Sequence, residues 1–179
     1  MKHILVAAAL MLPVPQTATA ATQAPETTII ADGEGGRARA QALIRIGEDG
    51  IARENDAALN AYFSEDFRFH GPEGDTDLNG LKATFAAMRV AFSNFQVRRE
   101  MIIVQGDYVA SRTSMTGMFP HPLSSPKGII QPTGKPMTRN LINIFRFDAQ
   151  GRLAEEWVPG LFNAAGSVDR KGVPERANV

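Results

Sequence analysis

Residues 137–158 read MTRNLINIFRFDAQGRLAEEWV, and the parity of their side chains decides the fold. In the first half Arg139, Leu141, Asn143, Phe145 and Phe147 fall on one face of a strand, and Ile142, Ile144 and Arg146 on the other. DAQG then supplies a hairpin turn, and RLAEEWVPG a second strand on which strict alternation puts Leu153, Glu155 and Trp157 on a common face. The exception in the pattern is Asn143. Asparagine is a poor strand former, and a buried amide needs hydrogen-bond partners.

Upstream, FQVRREMIIVQGDYVASRTSMTGMF has the same period of two and breaks at Gln105-Gly106-Asp107, which predicts another hairpin. Before it the period changes. Ala42, Leu43 and Ile46, then Ala57, Ala58, Tyr62 and Phe63, then Leu81, Phe85, Met88 and Phe92 recur at helical spacing. Gly47 and Gly50 divide the first two helices, and Asn55 or Asp56 is placed to cap the second. FRFHG reads as a short strand closed by Gly71-Pro72, GPEGDTDLNG as a loop, and PHPLSSPKGIIQPTGKP as a loop or lid. Helices first and antiparallel strands afterwards predict an α+β domain, with helices on one face of a curved sheet. GEGG at residues 33–36 follows no strand and is no dinucleotide fingerprint.

The chain has 179 residues, 19 basic and 19 acidic side chains and no cysteine. A net charge of zero gives no electrostatic reason for a nucleic-acid or anionic-membrane partner. Without cysteine there are no disulfides, no thiolate nucleophile and no cysteine-ligated metal. The start, MKHILVAAALMLPVPQTATA, has Lys2, an apolar run from Ile4 to Leu12, and Ala18-Thr19-Ala20, in the order of a secretory signal. The run is short of the roughly 20 residues a spanning helix needs. The expected organisation is a signal peptide over residues 1–20, cut after Ala20 or Ala21, a flexible leader over 21–35, a domain over 36–166 and a polar tail over 167–179. The expected location is the periplasm or the exterior, with no membrane contact after cleavage.

PTGKPMTRNLINIFRFDAQGRLAEEWV resembles the SnoaL-like polyketide cyclases of the nuclear transport factor two-like superfamily. The resemblance rests on Pro132-Thr133-Gly134-Lys135-Pro136, on Phe145-Arg146-Phe147, and on Leu153, Glu155 and Trp157. GLKATFAAMRVAFSNFQV and GDYVASRTSMTG extend it upstream, so that it covers roughly residues 36–165. It implies a cone-shaped barrel, a strongly curved, mostly antiparallel sheet wrapped by three helices around a pocket. It also implies chemistry without a cofactor, and places Asn143, Glu155, Trp157 and Arg112 on the concave side. Asn143 then occupies the position of the family's catalytic aspartate.

These expectations define the candidate site. An amide is no base, but Asn143 can donate to a carbonyl or enolate oxygen, or simply complete the pocket wall. Glu155 beside Trp157 is either an acid–base group or the ion-pair partner of Arg112. His70, after the FRF strand, is the side chain with intrinsic pKa nearest neutrality and so the remaining general base. His121 lies in the lid, where the resemblance implies a histidine slightly earlier, at Phe119. Tyr62, Phe85, Met88 and Phe145 are candidate lining residues, and apolar residues at such spacing also serve as plain core. His70, Asp75 and Asp77 lack the spacing of a metal site, so no metal is expected.

Two functions fit. One is a cofactor-free lyase, isomerase, cyclase or hydrolase acting on a small hydrophobic carbonyl or cyclic compound, with His70 as the proton-transfer group, Asn143 orienting an oxygen, and Glu155 or Arg112 in support. The other is a non-catalytic carrier of a small hydrophobic ligand outside the cytoplasm. The loss of the aspartate at Asn143 favours the carrier, and so does export away from intracellular intermediates. The resemblance also implies a homodimer through the outer face of the sheet, and the alternating Ile142, Ile144 face needs a cover of some kind.

Overall fold

The computed structural model describes residues 26–125 and 128–159. The expected signal peptide and the expected polar tail lie outside them. The chain runs β1 (Thr28–Ala31), α1 (Gly33–Arg45), a π-helical turn (Ile46–Ile51), α2 (Asp56–Tyr62), β2 (Phe63–Gly71), β3 (Gly74–Thr76) and α3 (Leu78–Ala91). It continues through β4 (Ser93–Gln105), β5 (Tyr108–Met118), β6 (Leu123–Ser125), β7 (Gly128–Ile130), β8 (Pro136–Phe147) and β9 (Leu153–Trp157).

Seven strands form one sheet in the order β1-β4-β5-β8-β9-β2-β3, and β6 and β7 pair by themselves. The sheet is open, with β1 and β3 at its edges among the described residues, so the barrel closure implied by the resemblance is corrected to a curved open sheet. Most pairings are antiparallel, but β1 lies parallel to β4 and β9 parallel to β2. The two expected hairpins form. Gly106, at φ +56°, turns β4 into β5, and the Asp148 carboxylate accepts from the amides of Gln150 and Arg152 to close β8 onto β9.

The helices are set by their caps and their apolar stripes. Asn55 accepts from the Ala58 amide at 3.1 Å and starts α2, and Asp77 accepts from the Gly80 amide at 2.9 Å and starts α3. Leu43 and Ala40 of α1, Leu59 of α2, and Leu81 and Phe85 of α3 are buried against Phe67, Ile102, Val109, Phe145 and Leu153 on the sheet. Each large side chain in that set contributes roughly 1.5–3 kcal/mol by leaving water. The other face of the sheet carries exposed Met101, Ile103, Ile142 and Ile144. Helices therefore cover the concave face alone, as the sequence order predicted.

Four local features differ from the sequence reading. Phe63, read at helical spacing after Tyr62, opens β2 instead of extending α2. Thr28–Ala31, expected within a flexible leader, form β1, whose Thr and Ile residues suit a parallel edge strand. The presumed loop after Gly71 contains β3, which pairs back on β2. The lid contains the short β6–β7 hairpin. Its base is tied by the Phe119 amide donating to Lys135 and the Gly134 amide donating to the Phe119 carbonyl.

Candidate functional site

Parity on the concave face is set by strand register, and register contains bulges. On β8, Asn143 lies inward between Leu141 and Phe145, and all three are buried. On β5, inward Val109 fixes Ser111 and Thr113 on the same side, and Ser111 stands opposite Asn143. On β4 the register shifts between Arg99 and Met101, so Val97 and Arg99 face inward before the shift and Ile102 and Val104 after it. On β9 the pairing with β8 shifts between Arg146 and Phe147. Leu153 and Ala154 are both buried as a result, and Glu156, not Glu155, comes inward beside Phe145.

These positions create a buried polar chain. Arg99 Nη1 donates to Thr113 Oγ1 at 2.6 Å, and Thr113 donates to Asn143 Oδ1 at 2.7 Å. Asn143 Nδ2 then donates to Glu156 Oε1 at 2.7 Å. Ser111 Oγ lies 3.4 Å from the threonine hydroxyl. A guanidinium only donates. Its hydrogen bond obliges Thr113 to donate onward, which fixes the amide orientation of Asn143 and directs its NH₂ to the carboxylate. The amide is therefore the link that presents Glu156 with a donor, which an aspartate at 143 could not do when ionised.

Burial dominates the electrostatics. Glu156 is 8% exposed, and desolvation holds its pKa above the usual glutamate value, opposed by the Arg99 charge and the Asn143 hydrogen bond. Desolvation lowers the Arg99 pKa from its ordinary value. The Arg99 guanidinium lies 5.3 Å from the centre of the Phe145 ring. Arg99 Nε and the Tyr62 hydroxyl are buried without a hydrogen-bond partner, and burial raises the Tyr62 pKa above that of an ordinary phenol. Both are donors near a carboxylate. The π-helical turn passes close over this point: a Cβ on Gly47 would sit in van der Waals contact, 3.4 Å from Val97 and 3.7 Å from Arg99 Nε.

The sequence-predicted residues divide between the two faces. Asn143, Tyr62, Phe85, Met88 and Phe145 lie on the concave side, with Phe85 in the core and Met88 on the wall of an apolar cleft. Glu155, Trp157, Arg112 and His70 lie on the convex side, which corrects their expected direction. Glu155 pairs with Arg146 at 2.7 Å rather than with Arg112, and Arg112 pairs with Glu100 at 2.6 Å. The Arg146 hydrogen bond lowers the Glu155 pKa instead of raising it. His70 stacks on Trp157 with ring centroids 5.3 Å apart, and its Nδ1 lies 3.0 Å from Asp75. His121 is exposed after β5, its amide donating to the Ala91 carbonyl. Asp77, near Asp75 in sequence, caps α3.

Glu156, Arg99 and Thr113 were missed. The available signal was parity: Leu153 and Val158, both apolar, are five residues apart, as are Val97 and Ile102. An odd spacing cannot keep two residues on one face without an extra residue between them.

A curved open sheet with three helices on its concave face, enclosing a buried acid–amide–arginine chain, makes this an α+β protein. The model of the family described as SnoaL-like polyketide cyclase matches residues 41–160, and the chain belongs to that family. Solved structures agree on the fold. IdmH of Streptomyces antibioticus is 20% identical, with a TM-score of 0.56 over 68% of this chain and 90% of its own. TsrD of Streptomyces laurentii is 17% identical, with a TM-score of 0.57 over 72% of this chain and 89% of its own. A protein of ketosteroid isomerase-like fold from Catenulispora acidiphila is 14% identical, with a TM-score of 0.52 over 72% of this chain and 87% of its own. No curated protein matches the chain.

Proposed function

We propose that the protein is a cofactor-free cyclase or isomerase that moves a proton alpha to a carbonyl of a small hydrophobic compound, with Glu156 as the base. The observation that carries this reading is the buried carboxylate of Glu156, held by Asn143 in a desolvated site beside two unpartnered donors. Removal of an α-proton needs a base whose pKa lies closer to neutrality than that of a free carboxylate, and burial supplies that shift. The enolate that forms needs donors that are already in place, and Tyr62 and Arg99 are the groups with capacity to give. Asn143 takes the part of a positioning residue. His70, Glu155 and Arg112 stay outside the reacting centre in this reading, because the sheet separates them from it.

The test is exchange of the α-hydrogens of 2-tetralone, an apolar cyclic ketone, in deuterium oxide, followed by proton NMR. The wild-type protein accelerates exchange and Glu156→Gln does not. Equal rates in the two proteins would remove Glu156 from the mechanism.

A second reading is a non-catalytic binding protein, favoured by the engagement of Glu156 with Asn143 inside a closely packed interior. A ligand recovered unchanged after long incubation supports it, and a transformed one supports catalysis. In either case we infer export, from Lys2, the Ile4–Leu12 run and Ala18-Thr19-Ala20, which lie outside the described residues. Among the described residues no helix is long and apolar enough to cross a membrane. The exposed Met101, Ile103, Ile142 and Ile144 support a homodimer through the convex face, which sedimentation at several concentrations would test.

A further inference from the structure

Four residues along β8 from Asn143, the concave face ends at a second arginine. Arg139 and Met115 stand opposite each other, and both line an apolar cleft of about 40 Å³ with Met88, Phe92, Phe95 and Met137. Arg139 is partly buried there. Its Nε has no hydrogen-bond partner, and desolvation lowers its pKa, with the charge of Glu73 acting in the other direction. A guanidinium half withdrawn from water, with a donor unused and apolar walls around it, is matched by a planar anion attached to an apolar body. The walls are adaptable: three of the lining residues are methionines, whose unbranched side chains repack to admit a guest larger than the resting cleft.

We propose that this cleft recognises an aromatic or alicyclic carboxylate, or a like planar anion, with Arg139 holding the charged group and the methionine–phenylalanine wall holding the ring. Asn143 lies about 13 Å further along the same strand. Resting on the proposed chemistry at Glu156, this makes the substrate an amphipathic molecule whose acidic end stays at the cleft while a remote carbonyl enters the polar chain.

The experiment is isothermal titration of the full chain with 2-naphthoate and with 2-naphthamide, which match in shape and differ in charge. The carboxylate is expected to bind at least tenfold tighter than the amide. In Arg139→Gln the preference falls to near unity while the amide affinity is unchanged, and Arg139→Lys retains part of it. Equal wild-type affinities, no binding of either compound, or a preference that survives in Arg139→Gln would overturn the proposal. The wild-type comparison stands even if Arg139→Gln fails to fold. Glu156→Gln keeps the naphthoate preference, so tetralone exchange equal in wild type and Glu156→Gln with the preference intact would fault the catalytic reading alone, and exchange lost in Glu156→Gln with no wild-type preference would fault this one alone.

Discussion

Glu155 and Glu156 are neighbours in sequence and opposites in environment. Glu155 lies on the convex face in an ion pair with Arg146, and that hydrogen bond lowers its pKa. Glu156 lies on the concave face, bonded to an amide, and desolvation raises its pKa. The side chains are the same, so the whole difference comes from which face the backbone gives each one. The bulge at Leu153–Ala154 makes that assignment. The polar interior of this fold is therefore a consequence of register as much as of composition.

The largest expected effect tests the comparison directly. Glu156→Gln should slow α-proton exchange by about 10²–10⁴-fold if the carboxylate is the base. Glu155→Gln should leave the rate within about twofold, since that side chain faces away from the cluster. Comparable losses in both would mean that the two faces are not functionally distinct.

Next comes the amide between them. Asn143→Ala removes the acceptor of the Thr113 hydroxyl, which keeps its bond from Arg99, and the amide donor of the buried Glu156 carboxylate, at a cost of about 1–3 kcal/mol for a buried group so orphaned. Urea unfolding at neutral pH measures the loss. Asn143→Asp introduces the acid that the resemblance implies at this position but sets it against Glu156, and two adjacent carboxylates cannot both ionise cheaply. Its stability should fall at neutral pH and recover in acid. Stability indifferent to pH would show that residue 143 and Glu156 are not coupled.

The pH dependence of the wild-type protein separates the two glutamates by sign. For Glu156 the folded pKa is raised, so its contribution is fully present below the usual value of 4.5 and is lost as pH rises through the folded value. For Glu155 the folded pKa is lowered. Its contribution is present above 4.5 and is lost as pH falls through the folded value. Glu156→Gln should therefore flatten the stability profile above 4.5, and Glu155→Gln the profile below it. A profile unchanged above that point in Glu156→Gln would contradict the raised pKa.

Much of this arrangement was legible in the sequence, and the errors have one cause. Alternation through Leu141, Asn143, Phe145 and Phe147 is uninterrupted, and every one of those residues is buried. The helical stripes, apart from Phe63, and the two hairpin turns were likewise read from local periodicity and turn chemistry; at Phe63 sheet pairing with Leu153 overrode the helical spacing. Alternation extended across β9 from Leu153 gave the wrong face to Glu155 and Trp157, because one extra residue reverses parity for everything after it. Trp157 strengthened the error, since a large aromatic is expected inside. It is instead covered by His70, a residue some ninety positions earlier that no local pattern could bring there. Arg99 was hidden by the same kind of shift in β4. Arg112 was misdirected by the resemblance, although inward Val109 on its own strand assigns it outward.

The smallest effect belongs to the convex pair itself. Arg146 and Glu155 make a good hydrogen bond at 2.7 Å, but their side chains are 36% and 28% exposed. Solvent and salt screen such pairs, which are typically worth about 0–1 kcal/mol. Arg146→Ala should therefore change the urea midpoint slightly, and the difference from wild type should shrink further at high salt. The contrast with Asn143→Ala is the informative quantity, because both variants remove one partner of a glutamate on the same hairpin. A loss in Arg146→Ala as large as that in Asn143→Ala would mean that the convex face is covered in solution. The exposed Ile142 and Ile144 beside the pair would then be where that cover sits.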